Sequence, residues 1–469
     1  MKFPNILWIL TDQQSANMMS CIGNKFVRTP NMDYIARKGV IFENTYCTNP
    51  VCLPSRFSLF TGLYPGDVGF KSNEYRKETD GLPDFIVENG LGKLLKEKGY
   101  TAVYGGKEHL PFLNAEALGF DYICSDEREV LAENLSEFIR NYSNNTPFAM
   151  VASFINPHDI CLMAIDDFAD EAGDGTKEYF RTYFKEAINN IKAYEKIPHG
   201  MHPDVFFECV CPPLPANHLP AEDEPEAITI LQEDRNFKKL AREHYSDERW
   251  RMHRWIYAKL TEQVDKQIGK VLTALIDSGL WDNTVIIFTS DHGDMDASHK
   301  MEHKTALYQE CCKVPLIVKG IDDSFVNKRF PQLVSNGLDC ICTVMDYAGI
   351  AQPNYLSGRS LKPLIEKKDS QLYEIRDKES AVDKRGVEGQ DFGIDWRKKL
   401  VIESEYGIAV IKETYKYTQY FCGEKREQFY DLRINQGEQY NQIEDEKYHG
   451  VIKELRDTAN AYLKRRQKA

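Results

Sequence analysis

Short apolar runs, each about the length of one buried strand, recur along this chain and restrict what it can fold into. They cover residues 5–11, 40–46, 101–104, 148–154, 285–289 and 314–318. Continuous apolar runs lack the alternation of a half-exposed strand and fit strands covered on both faces, as in a parallel sheet between helix layers. Helical stretches lie between them. Residues 29–38 open on Thr29-Pro30, put Met32, Ile35 and Ala36 on one face and stop at Gly39. Residues 91–98, 130–142 and 250–278 are likewise amphipathic, and Gly99 and Gly279 close the first and last of these. Strands alternating with helices predict an α/β fold, a mostly parallel central sheet flanked by helices.

In open α/β sheets, ligands bind outside the carboxyl ends of the strands. Here those ends read Thr11-Asp12-Gln13, Gly106-Lys107-Glu108-His109, Asn156-Pro157-His158 and Ser290-Asp291-His292-Gly293-Asp294. Singly, Asp12 is an ordinary loop cap, Asp291 a turn residue and Lys107 a surface lysine. Strands of one sheet bring them to one crevice. Asp12, Gln13, Asp291 and His292 then offer oxygen and imidazole donors suited to a divalent cation; an oxygen-rich set favours Ca²⁺, and His292 leaves room for Mn²⁺ or Mg²⁺. Lys107, Lys304 and Arg56 can neutralise a tetrahedral oxyanion. His158 and His109 are candidates for proton transfer, although either also fits a satisfied core position. His199, His202 and His218 fall in a polar insertion and carry no role.

The segment Cys52-Leu53-Pro54-Ser55-Arg56, followed by an apolar run to Gly62, predicts a helix with Pro54 in its first turn and Gly62 at its end. Cys52 is thereby placed near a helix N-terminus, where free N–H groups and the macrodipole favour an anion. Arg56 follows one turn later with a planar fork of donors. The segment by itself fits either a nucleophile beside an anion pocket or a buried cysteine capping a helix; convergence with the strand ends favours the first.

A chain of 469 residues exceeds what one core usually serves. The expected division is a catalytic α/β domain over 1–370 and a smaller α+β subdomain over 371–469. The first carries an acidic, proline-bearing insertion over about 161–247, long enough to act as a lid. The second carries antiparallel strands at 408–412 and 415–421 and a terminal helix from about 448. A net charge of −13 excludes general nucleic-acid or anionic-membrane binding, so an anionic substrate must be drawn in by local charge. No apolar run is long enough to span a bilayer, and residues 6–10 are too short for a signal h-region, so a cytoplasmic location is expected. The 12 cysteines lack a disulfide-framework spacing and read as reduced thiols; Cys209-Val210-Cys211 has no second pair at zinc spacing.

These motifs resemble one family, the type I sulfatases. Cys52-Leu-Pro-Ser-Arg56 with Phe57-Ser-Leu-Phe-Thr-Gly62 is similar to its signature. Residues 5–13 resemble its first metal-binding strand, Gly106-Lys107-Glu108-His109 its lysine–histidine motif and Asn156-Pro157-His158 its later histidine. Ser290-Asp291-His292-Gly293-Asp294 resembles its second metal motif, and His303-Lys304-Thr305-Ala306-Leu307-Tyr308 its downstream lysine. Phe429-Tyr430-Asp431-Leu432 is similar to its C-terminal hairpin.

The resemblance implies an alkaline-phosphatase-like fold and a sulfuric ester hydrolase. Its Cys52 would be oxidised to Cα-formylglycine by a maturation enzyme, and Asp12, Gln13, Asp291, His292 and position 52 would hold a divalent cation. It further implies that the aldehyde hydrate attacks sulfur, that His158 or Lys304 protonates the leaving alcohol, and that a second hydroxyl, deprotonated by His109 or a neighbour, expels sulfate. The substrate it implies is a small anion, a sulfated carbohydrate. Asp12-Gln13 and His292 depart from the Asp-Asp and Asn of many members and resemble the branch with choline sulfatases and phosphonate monoester hydrolases. A phosphonate monoester or phosphodiester hydrolase is therefore the alternative activity, and a non-catalytic anion- or metal-binding protein is expected if Cys52 stays a thiol.

Overall fold

The computed structural model describes residues 3–466 except 74–81, 111, 144, 172–175, 322–324 and 367–395. Its organising strand is β1 (Asn5–Asp12), buried along its whole length. Ile6, Trp8 and Leu10 pack into one core with Phe57 and Phe60, while Leu7 and Ile9 pack into the opposite core with Ile35, Leu135 and Ile268. Alternate side chains of a strand point to opposite faces, so only a strand apolar at every position can serve two helix layers. Each such side chain contributes roughly 1.5–3 kcal/mol by leaving water.

The other strands of this sheet are β2 (Val40–Tyr46), β3 (Thr101–Gly106), β4 (Asp121–Cys124), β5 (Phe148–Pro157), β6 (Thr284–Ser290), β7 (Leu316–Lys319) and β8 (Lys328–Ser335). Their order is β4-β3-β5-β1-β6-β7-β2-β8. Only β7 runs antiparallel to its neighbours β6 and β2. The α/β architecture expected from the apolar runs is the one observed. The sheet's outer strands β4 and β8 were not anticipated, because edge strands need no continuous apolar run. β4 has no fully buried residue, and β8 exposes Lys328, Arg329 and Pro331.

Register carries the sheet's chemistry to one level. Thr11 stands opposite Ser290, Asp12 opposite Pro157 and Gly106 opposite Ser153. Asp12, Asp291, His158 and Lys107 thus leave adjacent strands side by side. A register irregularity between Leu10 and Asp12 lets β5 run on to Pro157 beside the end of β1.

The insertion is more helical than its sequence suggested. Helices span Cys161–Asp167, Thr176–Tyr183, Lys185–Tyr194, Pro203–Cys209, Glu226–Glu233 and Asn236–His244. Each is only about two turns long, too short to accumulate a clear apolar stripe. Those over Cys161–Asp167, Lys185–Tyr194 and Pro203–Cys209 close over Ile256, Tyr257 and Leu260 of the long helix Asp247–Asp277. That helix starts earlier than its periodicity indicated, where Ser246 Oγ accepts the Arg249 N–H at 3.2 Å.

A second sheet, β9 (Leu400–Glu403), β10 (Gly407–Lys412), β11 (Tyr415–Tyr420) and β12 (Glu427–Asp431), is antiparallel in the order β12-β11-β10-β9. The helix His449–Arg466 lays Ile452, Leu455 and Ala459 against Val410, Tyr417 and Phe429. The expected domain boundary at 370/371 lies outside the described residues. This sheet reaches the first through Glu403 N–H to Thr48 O at 2.8 Å and Ser404 Oγ–H to Thr305 O at 3.1 Å. None of the described helices is long and apolar enough to cross a membrane.

Gly106 joins this frame to the site. Its φ is +92°, and a Cβ there would stand 2.0 Å from Ser153 O. The next N–H, that of Lys107, donates to the same oxygen at 2.9 Å. Gly106→Ala therefore combines left-handed strain with a backbone clash, and should cost about 2–4 kcal/mol, read as a lower denaturant midpoint. An unchanged midpoint would contradict the fit described.

Candidate active site

The side chain of Arg56 is fully buried. Its Nε donates to Asp291 Oδ2 at 2.8 Å and its Nη2 to Asp12 Oδ2 at 2.9 Å; Nη1 donates to Ser153 Oγ at 2.9 Å and to Lys107 O at 3.0 Å. One guanidinium thus ties together the ends of β1, β3, β5 and β6. Sequence reasoning expected an oxyanion contact here, but these donors are taken up by protein groups. Lys107 Nζ adds a contact to Asp12 Oδ2 at 2.8 Å.

Donor atoms of Asp12, Cys52, Asp291 and His292 lie within 4.8 Å of one another, all buried. Asp291 Oδ1 accepts the N–H groups of Gln13 at 3.0 Å and His292 at 2.9 Å. His292 Nδ1 meets Gly293 O at 2.8 Å, which fixes the ring and directs Nε2 at Cys52 Sγ, 3.1 Å away. Burial and the Asp12 charge push the Asp291 carboxyl up, against His292 and Arg56. For Asp12, burial and Cys52 push up, but Lys107, His158 and Arg56 outweigh them and hold it well below the usual carboxylate range. Two buried carboxylates and one imidazole oriented through its other nitrogen form a donor set that fits a divalent cation.

Cys52 opens the helix Cys52–Thr61, in which every residue is buried. Gly62 ends that helix at φ 71°, as its position suggested. Besides His292, Cys52 Sγ lies 3.0 Å from Lys304 Nζ and 3.5 Å from Asp12 Oδ1. Burial alone would raise its thiol, but Lys304, Lys107 and His292 draw it well below the ordinary value. Burial instead pushes Cys47, Cys311 and Cys340 up. All 12 thiols are free, as expected.

His158 is half-buried; burial, Lys304 and Lys107 lower it to about 4, leaving a neutral imidazole at pH 7. His109 is exposed at the rim rather than in the core. Gln13 Oε1 accepts from Lys304 Nζ at 2.8 Å and from Cys161 Sγ at 3.0 Å, and its Nε2 donates to Asp294 Oδ2 at 2.6 Å. In this arrangement its amide braces Lys304.

Several site residues carry positive φ, among them Gln13 at 66°, His109 at 47°, His303 at 73° and Thr305 at 84°. Non-glycine residues held there cost on the order of 1–3 kcal/mol each and need support from their surroundings. For Thr305 the support is visible: its N–H donates to Pro50 O at 2.9 Å and its carbonyl accepts from Ser404 Oγ. Sequence reasoning missed Ser153, Cys161, Asp294 and Asn73, whose Oδ1 accepts the Leu53 N–H at 3.0 Å in the helix's first turn. Asp294 stood in a motif already singled out; Asn73 and Ser153 carry no local signal.

Comparison with known proteins agrees with this geometry. The Sulfatase family profile matches residues 4–350, and the profile of the N-sulphoglucosamine sulphohydrolase C-terminal region matches residues 297–465. A Delta 4,5-hexuronate-2-O-sulfatase of Bacteroides thetaiotaomicron is 28% identical, over 98% of this chain and 89% of its own. The solved structure of a 2-O GAG sulfatase superposes with TM-score 0.73 at 26% identity, covering 99% of this chain and 93% of that one. The phosphonate monoester hydrolase of Agrobacterium radiobacter shares the fold, with TM-score 0.67 at 19% identity over 99% and 96% of the two chains. With the signature cysteine at the meeting point of the strand ends, this chain belongs to the Sulfatase family and is a sulfuric ester hydrolase of alkaline-phosphatase-like fold.

Proposed function

We propose that this protein removes sulfate from a carbohydrate sulfate ester, with Cys52 converted to Cα-formylglycine by a maturation enzyme. A divalent cation, Ca²⁺ ahead of Mn²⁺ or Mg²⁺, would be held by Asp12, Asp291, His292 and position 52. The carrying observation is the position of Cys52 Sγ, 3.0 Å from Lys304 Nζ and 3.1 Å from His292 Nε2 at the start of a buried helix. The carbohydrate follows from the hexuronate sulfatase to which the chain is similar.

When present, the aldehyde hydrate supplies the nucleophile and the cation supplies Lewis-acid polarisation. The chain's own groups do the rest. Lys107 and Lys304 stand where a tetrahedral anion at position 52 would be neutralised. In the unconverted protein burial would lower Lys304, but Cys52, Cys161 and Asp12 raise it; of these the Asp12 carboxylate remains after conversion and favours the ammonium. Lys304 is the group placed to give a proton to the departing alcohol. His158, neutral beside it, is placed to take one.

Cys52→Ala should lower kcat on an aryl sulfate at least about 10³-fold while leaving the folded state intact, as circular dichroism would show; retention of most activity would remove Cys52 from the mechanism. Peptide mass at position 52 should show replacement of the CH₂–SH group by CHO in a host that carries the maturation enzyme. A better rate on a matched aryl phosphodiester than on the aryl sulfate would make the enzyme a phosphodiester or phosphonate hydrolase instead.

Chelation should abolish turnover and lower the unfolding midpoint. A cation at a hundredfold excess over its Kd adds about 3 kcal/mol of stability, and its loss leaves Asp12 and Asp291 facing each other. Readdition of Ca²⁺, Mn²⁺ or Mg²⁺ singly should rank the metals by recovered rate. Unchanged activity after complete chelation would overturn the cation assignment.

A further inference from the structure

The insertion helix Asn236–His244 turns Lys238 and Ala241 inward. Lys238 is only 8% exposed, yet among the described residues its ammonium has no hydrogen bond and no carboxylate within ion-pair distance. The charges that reach it do so from farther away: Asp234 and Glu405 favour the charged form, Arg235 opposes it, and burial is the largest influence, lowering its pKa. Its ammonium is not fully enclosed and so stays open to an arriving anion, which would offset the cost of holding a nearly buried charge without a partner.

Its surroundings place it beside the reactive pocket. Lys238 lies within electrostatic range of Cys161, whose Sγ lies 3.0 Å from Gln13 Oε1. That oxygen accepts Lys304 Nζ–H at 2.8 Å, and Lys304 Nζ lies 3.0 Å from Cys52 Sγ. On the other side Lys238 acts on His303, the residue before Lys304. The ring of Phe237 meets that of His303 at 5.0 Å, and His303 Nδ1 is occupied by Glu302. The sulfate group already has Lys107 and Lys304, so a third cation that acts on the same His303 as Lys304 exceeds what one singly charged ester needs.

We propose that Lys238 is the binding point of a second anion subsite, which takes a further acidic group of the substrate, a carboxylate or a second sulfate. The inference rests on the sulfatase reading of the Cys52 pocket and deepens it: the preferred substrate is a sugar carrying two anionic groups. Lys238 is a specificity residue, brought over the pocket by the insertion rather than by the sheet.

The test uses the matured full-length protein, with Lys238→Met and Lys238→Arg. Substrates are nitrophenyl sulfate, a neutral hexose 6-sulfate, a 2-O-sulfated hexuronate and glucosamine-2-N,6-O-disulfate. Lys238→Met should raise KM for at least one dianionic sugar about 10-fold more than for nitrophenyl sulfate, with kcat little affected, and Lys238→Arg should restore most of the difference. A selective loss on the hexuronate assigns the subsite to carboxylate, and on the disulfate to sulfate. Lys238→Gln gives the same ratio should the Met variant fail to fold. Equal changes on all substrates, or a wild-type preference for the neutral hexose sulfate over both dianions, overturn the subsite. A wild-type protein inactive on nitrophenyl sulfate overturns the sulfatase reading itself.

Discussion

Everything in the site depends on a buried guanidinium between two buried carboxylates. Parallel register delivers Asp12 and Asp291 to neighbouring strand ends, where their charges repel in a medium that screens poorly. Arg56 meets one oxygen of each at 2.8–2.9 Å and uses its remaining donors on β3 and β5. Breaking a buried pair of this kind by removing one partner typically costs about 3–5 kcal/mol, because the other charge stays behind. A lysine could supply the charge at position 56 but not the planar fork that reaches four strand ends. The same arginine that looks like a substrate contact in the motif is therefore a tie-rod of the sheet.

That knot makes the rest of the cluster workable. With one oxygen of each carboxylate committed to Arg56, the other oxygen faces Cys52 and His292. His292 is fixed through its far nitrogen, so its ligating nitrogen has one direction. The Lys304 loop then closes the pocket at the expense of several left-handed residues, held from outside by Ser404 of the second sheet. The C-terminal sheet, remote from the chemistry in sequence, thus supports the backbone that aims Lys304. Strain of this kind is tolerable only where neighbouring elements over-determine the loop.

How much of this was legible in the sequence follows from the range of each interaction. The inner strands were plain because a strand buried on both faces must be apolar throughout, and β1, β5 and β6 are. Their polar endings, together with that of β3, located Asp12, Lys107, His158 and Asp291 for the same reason. The edges β4 and β8 were invisible, since half-exposed strands carry no such run. The insertion's helices are too short for periodicity to show. Ser153 and Asn73 could not be found at all: each matters only through partners about twenty or more residues away. Arg56 was seen as a charge, but the motif does not show the two carboxylates that it meets.

Charge also decides what can enter. The chain carries a net charge of −13, so an anion approaching from a distance is repelled, and salt confines any attraction to about 8–10 Å. Within that range Lys107 and Lys304 line the pocket, and Lys304 lies against Cys52 rather than against a carboxylate. The Cys52 sulfur, drawn toward the thiolate, occupies the place in this arrangement that negative charge would otherwise fill. A pocket that stabilises an anionic sulfur at a helix N-terminus will equally stabilise the oxyanions of a tetrahedral ester brought to the same point. Selectivity then cannot come from the sheet, whose ends recognise only a tetrahedral anion. It must come from what other parts of the chain add around them.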